Sequence, residues 1–365
     1  MKSIGIIGAG LTGSVIARQF AEEGFKVILY EKESYVGGQC RDIKEKDNYM
    51  SFYGPHIFYT SDKEVWSYVN KFTEFTTYKH EVNTYYQEKE LPWPINLNTM
   101  RYFFGQKDDS ELKNIINFEI ENEKKMGCKM GESFENNALL LCGRTLYEAL
   151  IKPYTQKMWN TEPKNLSSEL CSRIPIKFAE DNYFSSDKYQ GMPINGFSKL
   201  IENIVDHKNI SLRLGCQIGY NNVDSLRFKH TMLVSTANIG DYFADELLPY
   251  NGLMFVIGEN TFDKYETSVV NFPELNYRAI RRTDYSKFYG LSKPVTIYEF
   301  PKSENIVQVL PLYPIPIKEY EKRAQKLIKK LKSSGIYSLG RLGTYKYLNM
   351  DQAIKQALNF SKKFI

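Results

Sequence analysis

The chain has little of what metal sites and covalent staples are made from. Its 365 residues include 5 cysteines and 4 histidines. Cys40, Cys128, Cys142, Cys171 and Cys216 are odd in number and scattered without a CxxC, and no two histidines form HExxH. A disulfide framework or a structural zinc site is therefore not expected, and a reducing, cytoplasmic setting fits best. Long runs of one charge are missing too. At a net charge of +5, no block suggests a nucleic-acid arm. Nor is there a long apolar run. Ile4 to Leu11, behind Lys2, is too short and glycine-rich to span a bilayer, so no membrane insertion is expected.

What is abundant is aromatic: 27 Tyr and 22 Phe against 3 Trp. Such rings pack β-sheets and also suit flat or sugar-like ligands. The length favours two intimately joined domains or one domain with insertions. Residues 3–9 read as a buried strand. A helix follows with Leu11, Val15 and Phe20 on one face and ends at Gly24, and Lys26 to Tyr30 is a second strand closing in Glu31. Ser61 with Glu64, and Thr145 with Glu148, have the form of capping boxes. From 108 to 160 the pattern is helical, with Leu112, Ile115 and Ile116 sharing a face. From about 230 the texture is β-rich, in runs at 254–257, 268–270, 295–298 and 306–309. Helices then carry Tyr320 to Leu331 and Met350 to Ala357.

Gly8-Ala9-Gly10-Leu11-Thr12-Gly13 is a GxGxxG between strand and helix. Its glycines permit a tight turn, close approach to a pyrophosphate and close helix–strand packing, while the helix N-terminus favours the negative charge. Glu31 stands where a carboxylate holds a ribose diol. A second glycine pair, Gly37-Gly38, follows the acid and resembles the extended FAD fingerprint of glutathione-reductase and amine-oxidase type flavoproteins. Gly340-Arg341-Leu342-Gly343 lies between a strand at 336–339 and the last helix. In the flavoproteins it resembles, a C-terminal strand–glycine–helix returns to the flavin, and the resemblance implies that both ends of the chain meet at one FAD site.

Tyr53-Gly54-Pro55-His56-Ile57-Phe58, Leu91-Pro92-Trp93-Pro94-Ile95-Asn96-Leu97, Tyr154-Thr155-Gln156-Lys157-Met158-Trp159, Tyr189-Gln190-Gly191-Met192-Pro193 and Gly340 to Tyr347 occur in that order. With them the chain resembles the bacterial UDP-galactopyranose mutase family from residue 3 to about 358. The resemblance implies an α/β fold: a Rossmann-like FAD domain (1–80, 190–245, 333–365), a helical insertion with a mobile lid at 160–178 (100–178), and an antiparallel sheet domain (81–99, 179–189, 246–332). It also implies an isomerase that converts a nucleoside-diphosphate hexopyranose to the furanose through an adduct of flavin N5 with the sugar. Reduced FAD with NAD(P)H as external reductant, a nucleotide-sugar substrate and a homodimer go with it.

By motif, Gly8, Gly10, Leu11, Thr12, Gly13, Glu31, Gly38, Gln39, His56, Gly340, Arg341, Tyr347 and Met350 are expected at the cofactor. Asn96, Tyr154, Trp159, Lys177, Tyr183, Phe184, Tyr189, Tyr313 and Tyr347 are expected at the substrate. His56, Arg341, Arg278 and Lys177 are expected to be catalytic. Two departures fall on the diphosphate side. Lys177 stands for a lid arginine, keeping the charge without the planar fork. Ala279 stands for a strand arginine, with Arg278 one residue earlier and Arg281 and Arg282 just after. These point to UDP-galactose or to another nucleotide sugar, such as dTDP-fucopyranose or UDP-N-acetylgalactosamine. An amine-oxidase-like oxidoreductase would share the glycine motifs but has no reason to carry the aromatic strings.

Overall fold

The computed structural model describes residues 3–45, 47–244, 248–258, 264–302 and 311–365. Ser3–Ile7, the helix Leu11–Glu22 and Lys26–Tyr30 form the expected β-α-β opening, with Ser3 opposite Lys26 in a parallel pair. Ile4 to Ile7 are all buried, as befits a parallel strand covered on both faces. Parallel pairing extends this into a five-stranded sheet. Its order is Ile336–Ser338, Met232–Ser235, Ser3–Ile7, Lys26–Tyr30, Ile210–Arg213. One face buries Val15 and Phe20 against Ile201 and Ile354 of the helices Gly196–Val205 and Met350–Ser361. On the other face, Ala324, Leu327 and Leu331 of Lys318–Ser333 pack with Ile7, Leu233 and Ile336. The boundary expected at 333 puts that helix with the antiparallel sheet, but its apolar stripe belongs to the parallel one.

A second sheet has six strands in the order Leu253–Ile257, Thr296–Pro301, Arg281–Asp284, Val269–Asn271, Val82–Tyr86, Lys89–Trp93. It is mixed rather than wholly antiparallel, because Val269–Asn271 runs parallel to Val82–Tyr86. Beside this second sheet lies a helical insertion of Leu97–Phe104, Asp109–Lys125, Phe134–Leu146 and Lys152–Trp159, packed on Leu112, Ile116, Leu139, Leu146 and Ile151 with Leu253 and Ile280. The expected strand at 306–309 lies outside the described residues.

Both expected capping boxes resolve differently. The helix Lys63–Val69 is capped by Asp62, whose carboxylate accepts from the Glu64 and Val65 N–H groups, while the Ser61 hydroxyl donates to Asp187. A charged acceptor one residue on outcompetes the hydroxyl. At Thr145 the N–H and hydroxyl are both taken by Glu119 of the neighbouring helix, just past a break at Gly143 (φ 77°). All five cysteines are free thiols. Among the described residues no helix is long and apolar enough to cross a membrane, and no side-chain group could hold a metal.

Candidate active site

The parallel strands end at a cavity of about 460 Å³ lined by Gly8, Gly10, Glu31, Thr236 and Gly340. This is the end of an α/β sheet where ligands bind. Backbone shapes it. Gly8 has φ 97°, and a side chain there would meet Thr236 Oγ1 at 2.4 Å; a side chain at Gly38 would meet Gly10 Cα at 2.9 Å. Gly13 does not line the cavity, yet a Cβ on it would lie 2.0 Å from the Gly8 carbonyl oxygen, so it sets the helix against the turn. The helix opens at Gly10 with no side-chain cap, which leaves first-turn N–H groups for a ligand. Leu11 and Thr12 line the cavity beside them.

Glu31 lines the same cavity and also braces the turn, accepting from the Ala9 N–H (2.7 Å) and the Glu33 N–H (3.0 Å). Gln39 ties the glycine pair to the chain before Tyr313, donating to the Pro311 and Leu312 carbonyls. Its Oε1 accepts from Arg341 at 3.2 Å.

Tyr53, His56, Arg341, Asn349 and Met350 line both this cavity and a neighbour of about 270 Å³. The second cavity is aromatic and cationic. Tyr313 and Tyr347 are stacked at 5.2 Å and 7°, and Trp159 stands edge-on to both. The Arg173 guanidinium lies 3.5 Å over the Tyr347 ring, and that of Arg341 is 4.8 Å from the same ring centre. Arg173 donates to Asn349 Oδ1 (2.7 Å) and the Tyr347 carbonyl (2.9 Å); Arg341 donates to the Leu348 carbonyl and Gln39 Oε1. All these acceptors are neutral. Arg281, on the strand Arg281–Asp284, is instead forked onto Glu299 at 2.9 and 2.7 Å. The crowded cations act on their neighbours: burial, then Arg341 and Arg281, hold His56 down to about 3. Burial likewise draws the Arg173 pKa below the usual arginine value.

Of the residues expected at the substrate, Tyr154, Trp159, Phe184, Tyr313 and Tyr347 line the aromatic cavity. Tyr347, also expected at the cofactor, lines that cavity and not the glycine one. The other four, Asn96, Lys177, Tyr183 and Tyr189, stand elsewhere, as does Arg278, which was expected to be catalytic. Asn96 is fully buried as the N-cap of Leu97–Phe104, accepting from the Thr99 N–H and donating to Asp181 and Asn182. Lys177 turns to Asp181 and the Tyr183 carbonyl, both at 2.7 Å. Tyr183 is exposed, and Tyr189 stacks on Trp66. Arg278 is exposed on the loop before the strand. Beside the expected Arg341, the arginines at the cavity are Arg173, which was not among the expected site residues, and Arg281, which was noted only as a neighbour of Ala279. Arg281 had a signal, since residues two apart in an extended run face the same side and it lies two beyond Ala279. Arg173 had none from periodicity. It ends an irregular turn, Ser168–Arg173.

Residues 149–347 match the family model described as UDP-galactopyranose mutase, and residues 6–72 match an NAD(P)-binding Rossmann-like domain. A probable UDP-galactopyranose mutase of Klebsiella pneumoniae is 31% identical over 100% of this chain and 95% of its own length. The chain belongs to the UDP-galactopyranose mutase family. A dTDP-fucopyranose mutase of Escherichia coli, in the same similarity range, is 29% identical over 100% of this chain and 99% of its own. The crystal structure of a reduced UDP-galactopyranose mutase matches with a TM-score of 0.77 over 100% and 95% of the two chains; at 17% identity this speaks for the fold.

Membership makes the protein an isomerase of the mutase family with a flavin cofactor. The glycine cavity fits that group. Its volume lies in the range of cofactor sites, its wall is a cradle that side chains would fill, and an uncapped helix start and a buried acid sit at opposite ends of a dinucleotide's needs. Gly8, Gly10, Gly38, Glu31 and Gly340 would hold it, with His56, Arg341 and Met350 at the junction.

Proposed function

We propose that this protein converts a nucleoside-diphosphate hexopyranose into its furanose, with UDP-galactopyranose as the first substrate to expect and dTDP-fucopyranose as the second. The observation that carries this reading is the pair Arg173 and Arg341. Both guanidiniums flank the Tyr347 ring, and neither has a carboxylate partner among the described residues. Buried charge of one sign calls for a counter-charge, and a diphosphate beside the stacked tyrosines supplies it. Arg173 donates through a planar fork suited to phosphate oxygens.

Bound in reduced form, with NAD(P)H as reductant, FAD would supply a nucleophilic nitrogen toward the anomeric carbon. The chain's own groups do the rest. Arg173 and Arg341 hold the diphosphate as it departs and returns, so the negative charge that develops on it is stabilised by fixed dipoles and charges. His56, neutral at working pH, adds no competing cation at the junction. Trp159 and the turn Ser168–Arg173, with buried Leu170, cover the cavity and keep water from the sugar. Tyr154, on the helix Lys152–Trp159, offers a flat face for the base.

The second substrate has its own support. Relatives acting on UDP-galactopyranose and on dTDP-fucopyranose are nearly equally similar, at 31% and 29%. Part of the aromatic cavity's wall is also apolar, at Ile57, Val82, Phe184 and Val269, which suits a 6-deoxy carbon. A homodimer and a cytoplasmic setting accompany the proposal, the latter in keeping with five free thiols.

The test is to incubate dithionite-reduced protein with UDP-galactose, UDP-N-acetylgalactosamine, dTDP-fucose and UDP-arabinopyranose beside an oxidised control, reading products by chromatography. A furanose formed only with reduced flavin is the expected result. Oxygen or acceptor consumption in proportion to turnover would replace this reading with an oxidase.

A further inference from the structure

The strands Val269–Asn271 and Arg281–Asp284 form a hairpin joined by residues 272–280, with Asn271 opposite Arg281 in the closing pair. Both closing residues line the aromatic cavity. The loop itself has little regular structure to fix it. Among its backbone bonds are Phe272 N–H to the Ile280 carbonyl and Tyr277 N–H to the Glu274 carbonyl. What gathers it is Lys157. Its Nζ donates to the Glu274, Tyr277 and Ala279 carbonyls, each at 3.0 Å. An ammonium has three N–H donors, and all three are spent on one loop.

Lys157 is carried by Lys152–Trp159, the helix that also presents Tyr154, Thr155, Met158 and Trp159 to the cavity. One side chain thus joins the two walls that must face the same ligand. Ala279, which stands where an arginine is expected, contributes its carbonyl to this clasp, and the cation reaches the cavity two residues later.

We propose that Lys157 is a positioning residue: it clasps the 272–280 loop to the helix Lys152–Trp159 and so sets Arg281 and Asn271 at the distance from Tyr154 and Trp159 that a nucleotide sugar requires. This rests on the nucleotide-sugar reading above. Burial supports it, drawing the Lys157 pKa down to about 8 with Glu274 opposing the shift. The residue has given up solvation for these carbonyls. Lys157 itself touches neither cavity, so its loss reaches the ligand only through the elements it joins.

The experiment is titration of the FAD-bound protein with UDP and with dTDP by calorimetry, for the wild type, Lys157→Met, Lys157→Arg, Arg281→Lys and the double variant K157M/R281K. Loss of the ammonium removes the bonds to all three carbonyls and leaves the Glu274 carbonyl its bond from the Tyr277 N–H. Lys157→Met is therefore expected to free the loop and weaken nucleotide binding about tenfold or more, with the FAD content of the protein unchanged. Lys157→Arg is expected to fall between. Because Lys157 acts through Arg281, the double variant should bind about as weakly as the worse single one rather than by the product of the two effects.

Wild-type affinity in Lys157→Met, or multiplicative losses in the double variant, would overturn the inference while leaving the function standing. If Lys157→Met does not fold, Lys157→Arg carries the test. Its planar fork cannot meet three carbonyls gathered about one point, so weakened binding supports the clasp and unchanged binding overturns it. Failure of the wild type to bind either nucleotide would overturn the functional reading and this inference together.

Discussion

The two cavities share Tyr53, His56 and Arg341 but are built from different material. The larger is lined by glycines at 8, 10, 38 and 340, where a side chain at 8, 38 or 340 would run into Thr236, the Gly10 backbone or Thr12. The smaller is walled by long side chains drawn from positions 53 to 351, held by stacking, a fork onto Glu299 and bonds to neutral oxygens. A glycine-lined site has no room to vary. A side-chain site draws its cations from distant positions in the chain, as with Arg173 and Arg281 here.

The sharpest way to break this contrast is Gly13→Val. Its Cβ would fall 2.0 Å from the Gly8 carbonyl oxygen, which is main chain and cannot rotate away. We expect protein without bound flavin, or no soluble protein, read from the ratio of flavin to protein absorbance. A flavin-loaded variant would show that the turn is softer than its geometry implies.

On the side-chain wall, Arg281→Met is expected to cost about 3–5 kcal/mol of stability, because it strands Glu299 as a buried, unpaired carboxylate; the acid is 2% exposed. Urea unfolding measures it, and an unchanged midpoint would mean that Glu299 finds another partner.

Arg173→Gln should behave in the opposite way. Its partners are neutral, so stability should stay within ~1 kcal/mol while KM for the nucleotide sugar rises about 10–100-fold with the loss of charge-assisted bonds. Equal losses in stability and KM would erase the distinction between the two arginines.

The histidines supply a pH test. Burial, with nearby arginines adding to it, holds both His56 and His80 near 3, below the ordinary value of about 6.5. Between those values the unfolded chain binds protons that the folded one does not. Stability is therefore lost as pH falls through this window, by up to ~1.4 kcal/mol per unit for each histidine. Urea unfolding at pH 7 and pH 5 should show the slope, and His80→Gln should flatten it. The profile of kcat/KM should carry no histidine inflection near 6.5.

The smallest effect is expected at Lys177→Ala. Its ion pair with Asp181 lies within an irregular segment away from the cavity, so kinetic constants should stay within about twofold of the wild type. A large loss would return Lys177 to the site and remove Arg173 from its role.

Legibility followed the same division. The β-α-β opening, Glu31, the glycine pair and the returning strand before Gly340 could be read directly, since each is set by spacing within a few residues. Tyr154, Trp159 and Tyr347 came from ordered strings, and Tyr313 from the family resemblance. Asn96 and Lys177 came from the same kind of string, yet their side chains serve the packing of residues 174–184. A motif identifies a neighbourhood, and local hydrogen-bond competition decides which way each member faces. The capping boxes at 61 and 145 lost to Asp62 and Glu119 for the same reason: a nearby carboxylate is the stronger acceptor.

By itself, then, the order of residues determined the dinucleotide cradle, the alternation of strands and helices that builds the parallel sheet, and the family to which the chain belongs. These depend on local periodicity and on glycine's freedom at a few positions. Only the tertiary structure decided which cations meet at the second cavity. Arg173, Arg281 and Arg341 lie far apart along the chain, and whether such a group is spent on a carboxylate, as Arg281 is on Glu299, or left with neutral partners depends on what folding packs beside it.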